Sequence, residues 1–413
     1  MREIIYMDNN ATTRVAAEAL DAMQPFLTDL YFNPSSMYEA ARGPARAIAA
    51  ARDTVAAMLG GVAGDEVIFT GSATESNNTA IFGALRANGR RRHIVTTAVE
   101  HPSVQEVCKE ARREGAEVTV VGVNRQGEID MTEFVRALRP DTLLVSVMHA
   151  NNETGVIFPV AELARLAKET DPAIVFHTDA TQSVGKLDVN LKGAFAQVDM
   201  LSFSGHKLHG PKGVGVLFMR RGTPCRPYLC GGHQERGLRA GTENVGHIAA
   251  LAKACELAET ARDAESRIAA MRDRLQAGLC ERIPWLEVNG AGAERLPNTL
   301  NLACHSIEGE SILYQLDEHG ICASSGSACT SGSLDPSHVL KAMQVPFSAM
   351  HGSVRFSLSR YTTEAEVDRV IAVFPDIVTR LRRLSPYWDA AANRPREMHN
   401  GKAPTADSRG HSE

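Results

Sequence analysis

Between residues 67 and 219 the chain alternates short apolar runs with longer stretches of helical spacing. The apolar runs at 67–69, 93–97, 118–123, 143–148, 174–177, 200–203 and 214–219 are rich in β-branched and aromatic residues, and they predict seven strands. Between them, 104–113 and 160–169 repeat apolar positions at the spacing of one helical face. An earlier helix is predicted to open at Gly43-Pro44 and run to Leu59. Proline suits a first helical turn, and Gly60-Gly61 stops the run. Strand and helix in alternation predict an α/β protein whose mostly parallel seven-stranded sheet is covered by helices on both faces.

A second pattern follows. An alanine-rich helical stretch over roughly 247–282 leads from the sheet into a smaller α+β unit. That unit has strand-like segments at 298–303 and 354–358 and a helix near 311–319. The expected division is a large domain over 16–261, and a small domain made of 1–15 and 262–392. The polar stretch 393–413 is expected to be a disordered tail. No internal repeat is visible.

Composition narrows the class. Hydrophobic residues are 44% and charged residues 23% of 413, as in an ordinary soluble protein. A net charge of -5 argues against a broad nucleic-acid surface. The opening residues lack the apolar core of a secretory signal, and no run of about 18 apolar residues exists, so the expected location is the cytoplasm. Eight cysteines are scattered without a C-x-x-C pair, which supports neither a zinc ribbon nor a dithiol redox motif.

The polar clusters fall just after predicted strands, where ligands sit in parallel sheets. Lys207, in Ser204-Gly205-His206-Lys207, has the setting of an amine nucleophile, and equally that of a solvated loop lysine. Asp179, at a strand end, suits a protonated ring nitrogen or a helix cap. Gly71-Ser72-Ala73-Thr74 opens a helix with small hydroxylic residues, and backbone N–H groups there cradle a phosphate. His101, between a strand and Pro102, suits stacking on a planar cofactor or proton exchange, although a lone histidine is more often structural. Cys329 lies in Ser324-Ser325-Gly326-Ser327-Ala328-Cys329-Thr330-Ser331-Gly332. No core strand has that composition, so an accessible, reactive thiol on a mobile loop is expected.

Taken together, these motifs resemble the cysteine desulfurases, a branch of the fold-type I pyridoxal-phosphate enzymes of the class-V aminotransferase type. Ser-Gly-His-Lys with Gly-Pro-Lys-Gly, Asp-Ala-Thr-Gln, Asn-Asn-Glu-Thr-Gly and the Cys329 loop stand in the family's order and spacing from Tyr6 to about Leu381. The Cys329 loop, with Val345-Pro346-Phe347 and Gly352-Ser353-Val354-Arg355, is most similar to the nitrogen-fixation (NifS) type.

The resemblance implies a role for each matching residue. Lys207 would carry pyridoxal 5'-phosphate as a Schiff base, Asp179 would hold the ring nitrogen, and Gln182 would bond the phenolic oxygen. His101 would stack on the ring and move protons. Ala73, Thr74, Ser204 and His206 would hold the phosphate, and Thr242 would reach the phosphate of the partner subunit in a homodimer. Asn152, beside the cofactor, and Arg355 would hold the substrate carboxylate. L-cysteine would become L-alanine, with its sulfur left on Cys329 as a persulfide for an Fe–S scaffold or another acceptor, nitrogenase assembly being the implied destination. Through that persulfide Cys329 is also a candidate metal-cluster contact. Where family members often carry His, this chain has Tyr38, which therefore receives no role. Two competing readings are a selenocysteine lyase or other aminotransferase-like enzyme, which would share Lys207 and Asp179, and a non-catalytic sulfur carrier or Fe–S scaffold, which the scattered cysteines disfavour.

Overall fold

The structure, a computed structural model, describes residues 4–325 and 336–396. A two-residue strand, β1 (Ile5–Tyr6), comes first. The central sheet then takes β2 (Val67–Thr70), β3 (His93–Thr97), β4 (Glu117–Val121), β5 (Thr142–Ser146), β6 (Val175–Asp179), β7 (Met200–Ser204) and β8 (Gly215–Met219). Their spatial order is β2-β8-β7-β6-β5-β3-β4. Neighbours from β7 to β4 pair in parallel, while β8 runs antiparallel to both β7 and β2. The link between β7 and β8 is too short for a parallel crossover, so the chain must return antiparallel.

All seven predicted strands form. In β2, β3, β5, β6 and β7 every residue is buried. Burial on both faces explains why these runs read as continuously apolar rather than alternating. Successive side chains enter opposite layers: Phe176, Phe203 and Phe218 join one cluster, while Val175, Met200 and Leu217 join the other. Helices Ala73–Ala87 and Pro102–Arg113 cover one face, and Arg42–Met58, Val160–Thr170 and Val245–Thr260 cover the other.

The helical stretch expected over 247–282 is two helices, Val245–Thr260 and Asp263–Arg282, which meet at Ala261 and Arg262. Neither glycine nor proline marks the break. Beyond it, β9 (Leu286–Asn289) and β10 (Thr299–Cys304) form part of a small antiparallel sheet. β11 (Ile321–Cys322) pairs in parallel with β1, and β12 (Ser353–Ser357) completes the small sheet beside β10. Helices Asp263–Arg282 and Glu364–Leu384 pack there around Leu275, Leu302, Phe356 and Phe374. Val339, Leu340, Met343 and Val345 instead join a cluster of the central sheet.

Within the stretch expected to be a disordered tail, Arg394–Pro395 form a strand, β14, that pairs antiparallel with β13 (Trp388–Asp389). The rest of that expectation, 397–413, lies outside the described residues. Among the described residues, no helix is long and apolar enough to cross a membrane.

Candidate active site

The C-terminal ends of β2, β3, β5, β6 and β7 converge on one cavity of about 390 Å³. Ten of the residues expected from sequence line it: Ala73, Thr74, His101, Asn152, Asp179, Gln182, Ser204, His206, Lys207 and Arg355. Thr242 does not. It lies on an exposed turn three residues after Arg239, whose guanidinium is ion-paired with Glu75 on the helix behind the cavity, Nε to Oε1 2.9 Å. Cys329 lies outside the described residues. Tyr38 is exposed, its ring edge-on to Phe32.

At one end of the cavity the helix Ala73–Ala87 begins. Ser72 caps it, its Oγ accepting from the Glu75 N–H at 3.2 Å. The first helical N–H groups have no partner within a helix, so this end attracts an anion. Gly215 lets β8 pass directly behind: a Cβ there would lie 2.5 Å from the Ser72 carbonyl carbon and 2.9 Å from the Ala73 nitrogen. The close approach, not an unusual φ, is what requires glycine.

Asp179, 4% exposed, also lines the cavity. Its Oδ2 accepts from the Asn77 side chain at 2.8 Å and its Oδ1 from the Thr181 backbone N–H at 3.0 Å. Lys207 follows β7 in a 3-10 turn, Gly205–Lys207. Its ammonium donates to the carbonyls of Asn10 at 2.6 Å and Ala11 at 2.8 Å. Gln182 donates to the same Asn10 carbonyl at 3.0 Å, and its buried Oε1 has no hydrogen-bond partner.

The His101 Nδ1 accepts from the Ser103 backbone N–H at 3.1 Å, which places the ring proton of the neutral form on Nε2. Burial holds this imidazole below the usual histidine range, and the positive charge of Lys207 adds to that. His206 falls to about 4, mainly by burial and then by Lys207. Just before His101, Glu100 is wholly buried, and desolvation pushes its carboxyl up to about 8. Arg355 comes from β12 and is 3% exposed. It donates to Asp8 Oδ1 at 2.6 Å and the Asn152 carbonyl at 2.9 Å, and its buried Nε has no partner.

Sequence reasoning gave no role to Asn10, Ala11, Asn77 or Asp8. Asn77 lay within the cluster after β2, and one helical turn past Ala73 the helix period turns it toward Asp179. Asp8, Asn10 and Ala11 reach the site only through long-range pairing, and no local pattern signals it.

The arrangement fits pyridoxal phosphate. It offers a helix start for a phosphate, a carboxylate for a ring nitrogen, an amine on the same cavity, and an unpartnered buried amide oxygen. A cavity of about 390 Å³ is also within the range for small ligands.

Sequence comparison agrees with this fold. An "Aminotransferase class-V" family model matches residues 5–370, and the chain belongs to that family. Its relatives within it include Cysteine desulfurase 2 of Trichormus variabilis, 54% identical over 390 residues, covering 94% of this chain and 97% of that protein. Cysteine desulfurase NifS of Azotobacter vinelandii is 51% identical over 385 residues, covering 93% and 95%. Among solved structures, a NifS-like protein superposes with a TM-score of 0.86 at 37% identity, covering 92% of this chain and all of that one.

Proposed function

We infer that this chain is a cysteine desulfurase that uses pyridoxal 5'-phosphate to convert L-cysteine to L-alanine, leaving the sulfur on Cys329 as a persulfide. The observation that carries this reading is the meeting of Lys207, Asp179 and the helix start at Ala73 on one cavity, in a chain whose relatives bear that name.

When bound, pyridoxal phosphate would supply the electron sink that lets the substrate Cα–H and Cβ–S bonds break. Asp179, fixed by Asn77 and Thr181, holds the ring nitrogen. The N–H groups at Ala73 and Thr74, with Ser204 and His206, would take the phosphate, and Gln182 the phenolic oxygen. Arg355 binds the substrate carboxylate with Asn152 beside it; a guanidinium suits a carboxylate because both present paired hydrogen-bonding atoms. The Lys207 amine would hold the cofactor and, once free, would take the substrate Cα proton. His101, neutral and able to accept or give a proton, serves proton movement around the ring.

The Cys329 thiolate attacks the substrate sulfur. The Cβ–S bond breaks, its electron pair stays with Cβ, and a proton added there makes the methyl group of alanine. One thiol and one L-cysteine thus give one persulfide and one L-alanine, and no outside oxidant is needed. The sulfur then passes to an Fe–S scaffold or another acceptor in the cytoplasm, in the service of nitrogenase cluster assembly. The enzyme acts as a homodimer, with Thr242 of each subunit serving its partner's phosphate site.

Absorbance tests the cofactor assignment. Protein reconstituted with pyridoxal phosphate should show a violet-edge band that disappears in Lys207→Ala. A band unchanged by that substitution rules out Lys207 as the cofactor's lysine.

A further inference from the structure

The segment that carries Cys329 has two described roots, and both are tied to the active-site floor. At the N-terminal root, Ser324 pairs with Arg355 through the backbone: Arg355 N donates to Ser324 O at 2.6 Å and Ser324 N to Arg355 O at 3.2 Å. At the C-terminal root, the Ser337 hydroxyl donates to Glu153 Oε2 at 2.5 Å and accepts from the N–H groups of Val339 and Leu340. The neighbouring His338 Nε2 lies 2.9 Å from the Glu100 carbonyl oxygen.

Glu153 stands where these ties meet. It directly follows Asn152, whose carbonyl accepts from Arg355 at 2.9 Å. Its backbone N–H donates to Asn151 at 2.9 Å, and its own carbonyl accepts from Asn301 at 3.1 Å. Its side chain is 6% exposed, and Ser337 is 5% exposed. Burying a carboxyl is costly unless its hydrogen bonds are made, so a fold keeps one only where a well-placed partner meets it. Glu153 therefore links the C-terminal root to the peptide that also fixes Arg355.

We propose that Glu153 is a positioning residue for the sulfur-transfer step, acting through Ser337 at the C-terminal root of the segment that carries Cys329. This rests on Cys329 being the sulfur acceptor. Glu153 does not line the cofactor cavity; its bond to Ser337 fixes the root from which the Cys329 segment departs. Loss of that frame slows the attack on sulfur while leaving substrate binding and the preceding proton removal intact.

The test uses the full-length holoenzyme. In Glu153→Ala, kcat for alanine should fall about 10-fold or more, with KM for L-cysteine within about twofold of wild type. The rapid change in cofactor absorbance on mixing with L-cysteine should keep its wild-type rate. Glu153→Gln retains a carbonyl oxygen that accepts from Ser337, and should restore kcat to within about threefold. Ser337→Ala approaches the same bond from its other side and carries the test if Glu153→Ala fails to fold; the double variant should be no slower than the slower single. Equal kcat in wild type and Ser337→Ala overturns the inference, as does a parallel loss of cofactor content or a matching rise in KM. Wild-type enzyme that forms alanine but no Cys329 persulfide overturns the parent reading, and this inference with it.

Discussion

Gly215→Ala tests the phosphate cradle without substituting any residue given a chemical role. The added Cβ would lie 2.5 Å from the Ser72 carbonyl carbon, about 0.9 Å inside ordinary contact, and 2.9 Å from both Ser72 Cα and Ala73 N. All three are backbone atoms, so no side chain can swing away. Either β8 or the helix start must move by most of an ångström. A hydrogen bond to a charged group is worth roughly 1.5–3 kcal/mol. Losing one such bond between the helix start and the phosphate weakens cofactor binding roughly 10- to 150-fold. The assay titrates cofactor-free protein with pyridoxal phosphate and follows absorbance. Gly89→Ala, where a Cβ meets nothing within 4 Å, serves as the control and should bind as wild type does. Strain alone should lower the unfolding free energy of the cofactor-free protein by about 1–3 kcal/mol. A Gly215→Ala protein with wild-type affinity and stability would refute the close-approach argument.

Two further outcomes follow from the same geometry. Glu100 keeps its proton in the fold up to about pH 8, whereas the unfolded chain sheds it above 4.5. Its contribution to stability is therefore full below pH 4.5 and is lost as pH rises through 8. Glu100→Gln removes that dependence, so the variant should gain on wild type in denaturant unfolding from pH 5 to 8; a difference that stays constant with pH contradicts the assignment. Arg355→Lys replaces a planar fork with a point charge, and KM for L-cysteine should rise about 10- to 100-fold, the loss of one charge-assisted hydrogen bond. An unchanged KM would remove Arg355 from carboxylate binding.

The sheet was legible because strands buried on both faces leave continuous apolar runs, and the polar clusters at their ends marked the cavity. Lys207, Asp179 and His101 were each ambiguous alone and became informative only as an ordered set. What escaped was non-local. Asn10 and Ala11 accept from Lys207, yet they are held there by Asn10 bonding Thr299 at 2.8 Å and Asn9 bonding Ser357 at 2.8 Å, across most of the chain. The break at Ala261 and Arg262 escaped because both residues favour helix and neither glycine nor proline marks it. The Glu153–Ser337 bond was equally invisible, since each residue taken singly reads as an ordinary polar position.

The central claim is that sulfur leaves L-cysteine by way of Cys329. The direct measurement is a single turnover: holoenzyme is mixed with L-cysteine in the absence of reductant and acceptor, alanine is quantified, and the persulfide is mapped by mass spectrometry. The account predicts one alanine per active site, a persulfide on Cys329, and no alanine from Cys329→Ala that still binds cofactor. Wild-type alanine production by Cys329→Ala, or a persulfide on the half-buried Cys322 of β11 instead, would contradict it.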